Sequence, residues 1–499
     1  MGVFARHGFQ NVVVRAKFGR FVLDRFTPYH IERLSTPERL RMSFEQLGPT
    51  FVKLGQLLAS RPDLIPLDWS EEFRKLHDQV APEKFDDIKK ILESHFGAPL
   101  DQVFLAFDEK PLAAASIAQV HRAQLKNGEK VVVKVQRPGL DRIIEEDLQI
   151  LRQLAAFMEK YVPESRPFNP TAVIKEFGHA LELETNFAVE ANNMRRFQQN
   201  FANEKTIKIP EVYGEYSGRR VLVMEALEGI PLTQKHALEQ EGIVREEVLR
   251  HGLRAYLKMV YRDGFFHGDL HPGNILILPN NQLGLVDFGV VGRISRRIKA
   301  AISNMFLALA DEDFERMAYI HVDLSPFTED VDVDEFARDI RNLLAPYLGL
   351  TMKDVNLGRL MMQSTAIATK HGLSVPAELV LFFKSIVAIE GMGRMISEDF
   401  DFLKETLVFA REYVNPAPEA RQFAQDAALF ARDIQSMMHT MPRQVKQIMR
   451  RFNDPDFAWK VKSKDAEDLR RAVDRGFDKI FWGLIFGALL LGVILRYRP

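Results

Sequence analysis

Three side chains are spaced as phosphoryl-transfer chemistry requires. His267-Gly268-Asp269-Leu270-His271-Pro272-Gly273-Asn274 runs into apolar Ile275 to Leu278, and thirteen residues past Asn274 comes Asp287-Phe288-Gly289, preceded by Leu285-Val286. Moving a phosphoryl group needs a carboxylate that orients the acceptor, oxygen ligands for Mg²⁺ and a cation on the phosphates. Asp269 supplies the first, and Asn274 and Asp287 are hard oxygen donors of the kind Mg²⁺ takes. A zinc helix through His267 and His271 is disfavoured, because Gly268 stands where a metalloprotease needs Glu and Pro272-Gly273 stops the helix. Asp-Phe-Gly alone is a weak signal. In this order and spacing the two segments predict a kinase-like site.

The cation belongs on a strand upstream. Lys134 in Val131-Val132-Val133-Lys134-Val135 fits, since a lone Lys in an apolar strand is costly unless paired. In protein kinases the equivalent Lys pairs with a helix Glu and contacts the nucleotide phosphates. Where a Gly-rich loop would precede it stands Ala113-Ala114-Ala115-Ser116. Backbone N–H groups there can reach phosphate, but alanines do not readily take the positive φ that glycines allow.

Around these residues the pattern predicts helices first. Ser35-Thr-Pro-Glu38 reads as a capping box, Leu40, Phe44 and Leu47 follow at helical spacing, and Gly48-Pro49 breaks the run. A second helix carries Lys53, Gly55 and Gln56; Gly55, unfavourable in a helix interior, predicts close approach of another backbone. Ser116 to Leu125 and Lys130 to Gln136 read as a β-hairpin with a type I′ turn at Asn127-Gly128, and a second hairpin is expected over Val212 to Glu225, turning at Ser217-Gly218. Leu140 to Phe201 between them is helical, broken at Pro163, Pro167 and Pro170, and the remainder is mostly helical. This is an α+β, two-lobed arrangement.

The chain of 499 residues has room for two or three domains. It has no cysteine, which excludes disulfides, zinc-thiolate sites and thiol catalysis. With 67 Lys and Arg against 68 Asp and Glu, it lacks the broad basic footprint of a nucleic-acid binder. The first twenty residues show no signal-peptide core and predict a basic amphipathic helix with Arg6, Arg15, Lys17 and Arg20. After Asn415-Pro-Ala-Pro, apolar Leu429 to Phe452 recur at helical spacing, as in a helix packed on the body or lying on a membrane. Ile480 to Leu495 is an uncharged run of 16 residues. At ~1.5 Å per residue it covers roughly 24 Å of a ~30 Å hydrocarbon core. Trp482 and Tyr497 at the interfaces, with Lys479 and Arg496 snorkelling, make up the difference, so a membrane anchor is expected.

Several segments together resemble the UbiB/AarF atypical kinases. Pro111 to His121 resembles their alanine-rich loop, Lys53-Leu54-Gly55-Gln56 their Lys-x-Gly-Gln motif in an N-terminal extension, and Glu184 to Ala191 their Glu-x-Asp helix segment. The resemblance implies a two-lobed protein-kinase-like fold with a helical extension and a C-terminal transmembrane helix. Residues 1–95 would form the extension, 96–228 the N-lobe, 229–413 the helical C-lobe, 414–475 the amphipathic region and 476–499 the anchor. It implies that Ala113, Ala114, Ala115 and Ser116 cover the ATP phosphates, that Lys134 holds them while pairing with Glu190, and that Glu225 to Leu227 meets adenine. Asn274 and Asp287 would ligate Mg²⁺, and Asp269 would be the catalytic acid. Lys53 and Gln56 would fold over the site, meeting Glu184, in a regulatory role. Asn186 departs from the family's Asp, and any role resting on that charge falls away.

The function implied is an ATPase or lipid kinase that supports ubiquinone biosynthesis, with ATP and Mg²⁺ as cofactors. Its expected partners are a membrane, an isoprenoid lipid or quinone precursor, the biosynthetic enzymes and a second copy in a homodimer, with no nucleic acid. The location implied is the cell inner membrane with the catalytic domain on the cytoplasmic side. Two alternatives stand beside this: a phosphotransferase of aminoglycoside- or choline-kinase type, which would lack the Lys-x-Gly-Gln extension, and a non-enzymatic nucleotide-gated scaffold. Protein phosphorylation is disfavoured, because the string Ala417-Pro418-Glu419 lies too far beyond Asp287 to close an activation loop.

Overall fold

The computed structural model describes residues 34–406, apart from 60, 62–63, 66, 77–79, 162–168, 326–330, 348–355, 398–399 and 403–404. The basic opening helix, the amphipathic region and the membrane anchor read from the sequence lie outside these residues. Among the described residues no helix is long and apolar enough to cross a membrane.

The first described helix of the extension is α1 (Thr36–Leu47), whose capping box forms: the Glu38 amide donates to Ser35 Oγ at 3.4 Å and the Ser35 amide to Glu38 Oε2 at 2.7 Å. α2 (Pro49–Ala59) and α3 (Leu67–Phe73) follow. Their apolar faces, led by Phe44, Phe51, Leu54 and Phe73, share a core with α6 (Leu140–Tyr161) and α7 (Pro170–Thr185). Gly55 is where the expectation is corrected. A Cβ there would lie 2.2 Å from Leu76 Cδ1 and 2.8 Å from Phe44 Cδ2, so the glycine admits side chains of its own helical layer and not a neighbouring backbone.

After α4 (Phe85–Phe96) and the short α5 (Leu100–Val103) comes an antiparallel sheet of β1 (Phe104–Phe107), β2 (Ala113–Ala114), β3 (Ala118–Leu125), β4 (Lys130–Gln136) and β6 (Val221–Glu225). The order is β1-β3-β4-β6, with β2 on β3. Val131, Val133 and Val135 enter the core with Ile88, Leu92, Val221 and Val223, and the two-residue period puts Val132 and Lys134 on the other face.

Both hairpin turns differ in detail from the sequence reading. Gly128 takes a φ of 91°, but Asn127 keeps a negative φ, so the turn is a type I turn closed by a left-handed glycine. Asn127 Oδ1 accepts the Glu129 amide at 3.1 Å, a local bond that favours this geometry over type I′. In the second hairpin only β6 is a strand; Val212 makes a single bridge to Met224. Ser217 Oγ takes the Val223 amide at 3.0 Å, occupying a donor that a longer partner strand would have used.

α8 (Phe187–Phe201) follows α7 directly, with Asn186 as its N-cap, accepting the Ala188 amide at 3.2 Å. Beyond β6 the body is mostly helical. β5 (Ile207–Lys208), β10 (Leu283–Leu285), β9 (Ile275–Ile277) and β7 (Ile230–Pro231) make a small sheet, and β8 (Phe265–His267) pairs with β11 (Val291–Arg293). α9 (Arg245–Leu257), α10 (Arg296–Ala310), α11 (Phe314–Leu324), α12 (Val333–Leu344), α13 (Leu357–Lys370) and α14 (Ala377–Ile396) surround a core in which Tyr256, Phe265, Phe266, Phe288, Phe382 and Phe383 are fully buried.

α13 and α14 meet closely at Gly358. Glu390 of α14 accepts the Leu357 amide at 3.0 Å and the Gly358 amide at 2.9 Å, and a Cβ on Gly358 would lie 2.5 Å from the Val387 backbone nitrogen. Gly358→Ala is expected to destabilise the protein by about 2 kcal/mol, because a backbone atom cannot give way as a side-chain end can. A lowered midpoint in denaturant or thermal melts checks this; an unchanged midpoint would show that the two helices can part.

Candidate active site

The sheet presents Lys134 to the cleft, and α8 brings Glu190 beneath it. Lys134 Nζ lies 3.0 Å and 2.9 Å from the two Glu190 carboxylate oxygens and 3.6 Å from Asp287 Oδ2. Phe187 adds its ring 5.4 Å from the ammonium. Burial disfavours the charged lysine, but the Asp287 and Glu190 carboxylates outweigh it and hold the ammonium well above its ordinary pKa. Burial, with the nearby Asp287 charge, holds the Glu190 carboxyl above its ordinary value against the pull of Lys134 and the Phe288 amide, and both its oxygens lie on the ammonium.

Asp287 opens its Asp-Phe-Gly turn at a φ of 61°, the left-handed region where Asp is tolerated better than bulkier residues. Its side chain is 51% exposed into the cleft. Burial of its surroundings opposes ionisation, yet Lys134, the Gly289 amide, His267 and Lys53 bring its carboxyl to about 2. α8 also grips the backbone of this turn: the Phe288 amide donates to Glu190 Oε1 at 3.3 Å, and Asn193 Nδ2 donates to the Phe288 carbonyl at 3.0 Å.

The second motif meets the first through backbone. Asn274 Nδ2 donates to the Asp269 carbonyl at 3.1 Å, and the Val286 amide donates to the Asn274 carbonyl at 3.0 Å. His267 is fully buried against Phe288, and its Nδ1 accepts the Asp269 amide at 3.2 Å. With Nδ2 engaged, Asn274 has its Oδ1 to offer a cation, and one carboxylate with one carboxamide oxygen suits Mg²⁺, which completes its shell with phosphate and water. Among the described residues no group of three or more His, Asp or Glu gathers as an all-protein cage would. Asp269 itself pairs with Lys384 of α14, Nζ to Oδ1 at 3.1 Å. Burial raises its carboxyl, and Lys384, with smaller help from His271 and His267, carries it below the ordinary value.

The alanine-rich loop is closed on itself. Ala113 and Ala114 pair with Val120 and Gln119 as β2, the Leu112 amide donates to the Val120 carbonyl at 2.7 Å, and the Ala115 amide donates to the Ala118 carbonyl at 2.8 Å. Ser116 is buried. A phosphate contact through the Ala115 amide therefore requires the loop to open. Arg137, just past β4, fastens it: Nε donates to the Ala115 carbonyl at 2.7 Å, Nη2 to the Ala81 carbonyl at 2.8 Å, and Nη1 meets Glu83. Gln119 accepts the Glu83 amide and faces His121, whose Nδ1 meets the Asp108 carbonyl at 2.9 Å.

The extension reaches the same place. Lys53 Nζ lies 2.6 Å from Glu184 Oε1, and Lys53 contributes to holding Asp287 ionised. Gln56 Nε2 donates to the Leu76 carbonyl at 3.2 Å, so it braces the extension internally and does not meet Glu184 through that group. Glu225 turns its carboxylate to Lys208 at 2.8 Å and to the Glu211 amide at 3.0 Å, while the Ala226 amide donates to the Lys130 carbonyl at 3.0 Å. Leu227 packs toward Gly284 of β10. Arg137 and Lys384 escaped the sequence reading. Arg137 carries no local signal, whereas Lys384 sits in the apolar run Leu379 to Ile389, the same kind of oddity that exposed Lys134.

A strand lysine paired to a helix glutamate, above paired Asp-Asn and Asp-Phe-Gly segments, defines an atypical kinase-like protein. The family model of the ABC1 atypical kinase-like domain matches residues 75–321, and that of the UbiB helical domain matches residues 340–401. The chain is 34% identical over 394 residues to "Probable protein kinase UbiB" of Marinobacter nauticus, covering 78% of this chain and 72% of that one. A protein of the same name from Aeromonas salmonicida is 34% identical over 475 residues, covering 93% and 85%. A solved Mycobacterium tuberculosis protein in complex with erythromycin is 22% identical, covers 69% of this chain and 91% of that chain, and superposes with a TM-score of 0.45. The chain belongs to the UbiB family of atypical kinases, with the protein-kinase-like fold of that domain.

The Lys53–Glu184 contact invites a double-mutant cycle. Lys53→Glu is expected to weaken nucleotide binding or turnover by about three- to tenfold, and adding Glu184→Lys to recover part of the loss. Independent, additive effects on the two measured affinities would show that the pair does not act as a unit.

Proposed function

We propose that the protein binds Mg·ATP in the cleft between sheet and helices and acts as an ATPase or phosphotransferase on a small or lipid acceptor. The observation that supports this reading is the Lys134 ammonium held by Glu190 and 3.6 Å from Asp287, a cation beside a carboxylate, as phosphates and their metal would require. Lys134 would hold the phosphates while Glu190 fixes its direction. Asn274 and Asp287 would hold Mg²⁺, which when bound spreads the negative charge of the phosphate oxygens. Asp269 would orient the acceptor hydroxyl or water through the oxygen that Lys384 does not engage. The adenine would enter beside Ala226 and Leu227.

Support for a small acceptor comes from the extension. Lys53 pairs with Glu184 beside the cleft, and Arg137 with Gln119 ties the alanine loop to Ala81 and Glu83, in keeping with the family resemblance by which the extension would cover the face a polypeptide otherwise uses. The link to ubiquinone biosynthesis rests on family membership, and an isoprenoid precursor at a membrane is the acceptor class in keeping with it. Purified protein should gain about 2–4 °C in thermal midpoint at Mg·ATP near a hundred times its dissociation constant. Asp287→Asn should lose that gain. An equal gain in the variant would remove Asp287 from the metal site.

We further propose that the chain is held at a membrane by Ile480 to Leu495. Truncation after Arg475 should move the protein from the membrane fraction to the soluble one on fractionation of expressing cells. Equal retention would transfer that role to the region around Met437 to Met449 or to the basic N-terminal segment.

A further inference from the structure

We propose that Lys384, carried by the helical region beyond the kinase-like domain, is a positioning residue that neutralises Asp269 so that the terminal phosphate of a nucleotide can lie against that carboxylate. This rests on the reading of the cleft as an ATP site and adds to it a source of charge from a distant element. Lys384 Nζ engages Asp269 Oδ1 at 3.1 Å, so one carboxylate oxygen is held and Oδ2 would be the one to meet an acceptor. Between Asp269 and Asn274 the chain reads Leu270, His271, Pro272 and Gly273, with no Lys or Arg. Lys134 is held by Glu190 and Asp287, and Lys53 by Glu184. Phosphate charge arriving at the acceptor side would therefore meet Asp269 as a like charge, compensated by α14.

The pair does not look like a device for stability. The two side chains are 41% and 42% exposed, and exposed pairs contribute little to folding. α14 is fixed by other means. Ser385 Oγ lies 2.5 Å from the Tyr256 hydroxyl, Phe382 meets Phe266 edge-on at 6.3 Å, and Glu390 caps α13. Phe266 immediately precedes His267, so the helix is anchored on the strand that enters the catalytic loop and delivers its lysine one side chain away.

The test is binding of Mg·ATP and Mg·ADP, measured by calorimetry on the full-length protein and on three variants. Lys384→Met is expected to weaken Mg·ATP by about three- to tenfold relative to Mg·ADP, since only the triphosphate brings its terminal charge against Asp269. Adding Asp269→Asn should return the ratio to near the wild-type value, because removing the repelling carboxylate replaces the lost cation. Lys384→Arg should keep most of the ratio, and Lys384→Gln serves in place of Met should that variant fold poorly. An unchanged ratio in Lys384→Met, or a loss that Asp269→Asn does not repair, overturns the inference. A wild-type protein that binds neither nucleotide overturns the ATP reading and this inference with it. Wild-type binding with a flat ratio across the variants removes this one alone.

Discussion

The buried ion pair of Lys134 and Glu190 is the interaction on which the architecture of the cleft depends. A lysine in a valine strand is unfavourable by itself, and a glutamate 2% exposed within a helix is equally so. Each is tolerated because the other is within 3.0 Å. Removing one partner of such a pair leaves a buried charge uncompensated, typically at about 3–5 kcal/mol. Sheet and helix are thus held in register by an electrostatic requirement in addition to apolar packing. Because Glu190 also accepts the Phe288 amide, and Asn193 one turn later binds the Phe288 carbonyl, the requirement extends to the turn that presents Asp287. Asp287 is thus placed by the same helix that satisfies Lys134.

A second constraint acts from above. A glycine-rich loop leaves its amides free and its backbone adaptable, whereas here Leu112 and Ala115 have their amides bonded within the loop. Arg137 holds the Ala115 carbonyl from below and reaches Ala81 and Glu83 in the segment that leads in from the extension. The loop, the extension and the end of β4 are consequently one hydrogen-bonded unit. Any opening of the loop must come from breaking specific bonds, and the guanidinium makes three of them. Asn186, where the resemblance expects Asp, fits this picture at the other end. The residue accepts the Ala188 amide as a helix cap, a task an amide oxygen performs about as well as a carboxylate.

What the sequence disclosed and what it withheld divide along physical lines. Lys134 was legible because an isolated charge breaks a local rule, and Asp269, Asn274 and Asp287 because their spacing is set by one short stretch of chain. The Ser35 capping box and Pro170 at the start of α7 were legible because caps and prolines act locally. Where the reading failed, a non-local or side-chain bond had decided the outcome. Asn127 turned the hairpin through a bond to the Glu129 amide, Ser217 displaced the expected strand partner of β6, and Gly55 proved to accommodate Leu76 and Phe44. Arg137 was invisible because its three acceptors lie 22 to 56 residues away.

The helical region after residue 340 has a physical connection to the cleft that its sequence does not advertise. Phe382 lies parallel to Tyr256 at 6.4 Å and edge-on to Phe266 at 6.3 Å, so α14 is seated between α9 and the strand that enters the catalytic loop. Such aromatic packing transmits position with little compliance, because interiors are dense and the alternatives are voids or clashes. Glu390 then sets the start of α13 by accepting its first two amides, and Gly358 allows the approach that makes those bonds possible. Contacts thus run from the start of α13 through Glu390, α14 and Lys384 to Asp269. The Asp269–Asn274 loop is therefore supported from two directions: β10 and the Asp-Phe-Gly turn on one side, and α14 on the other. Only the first is local in sequence.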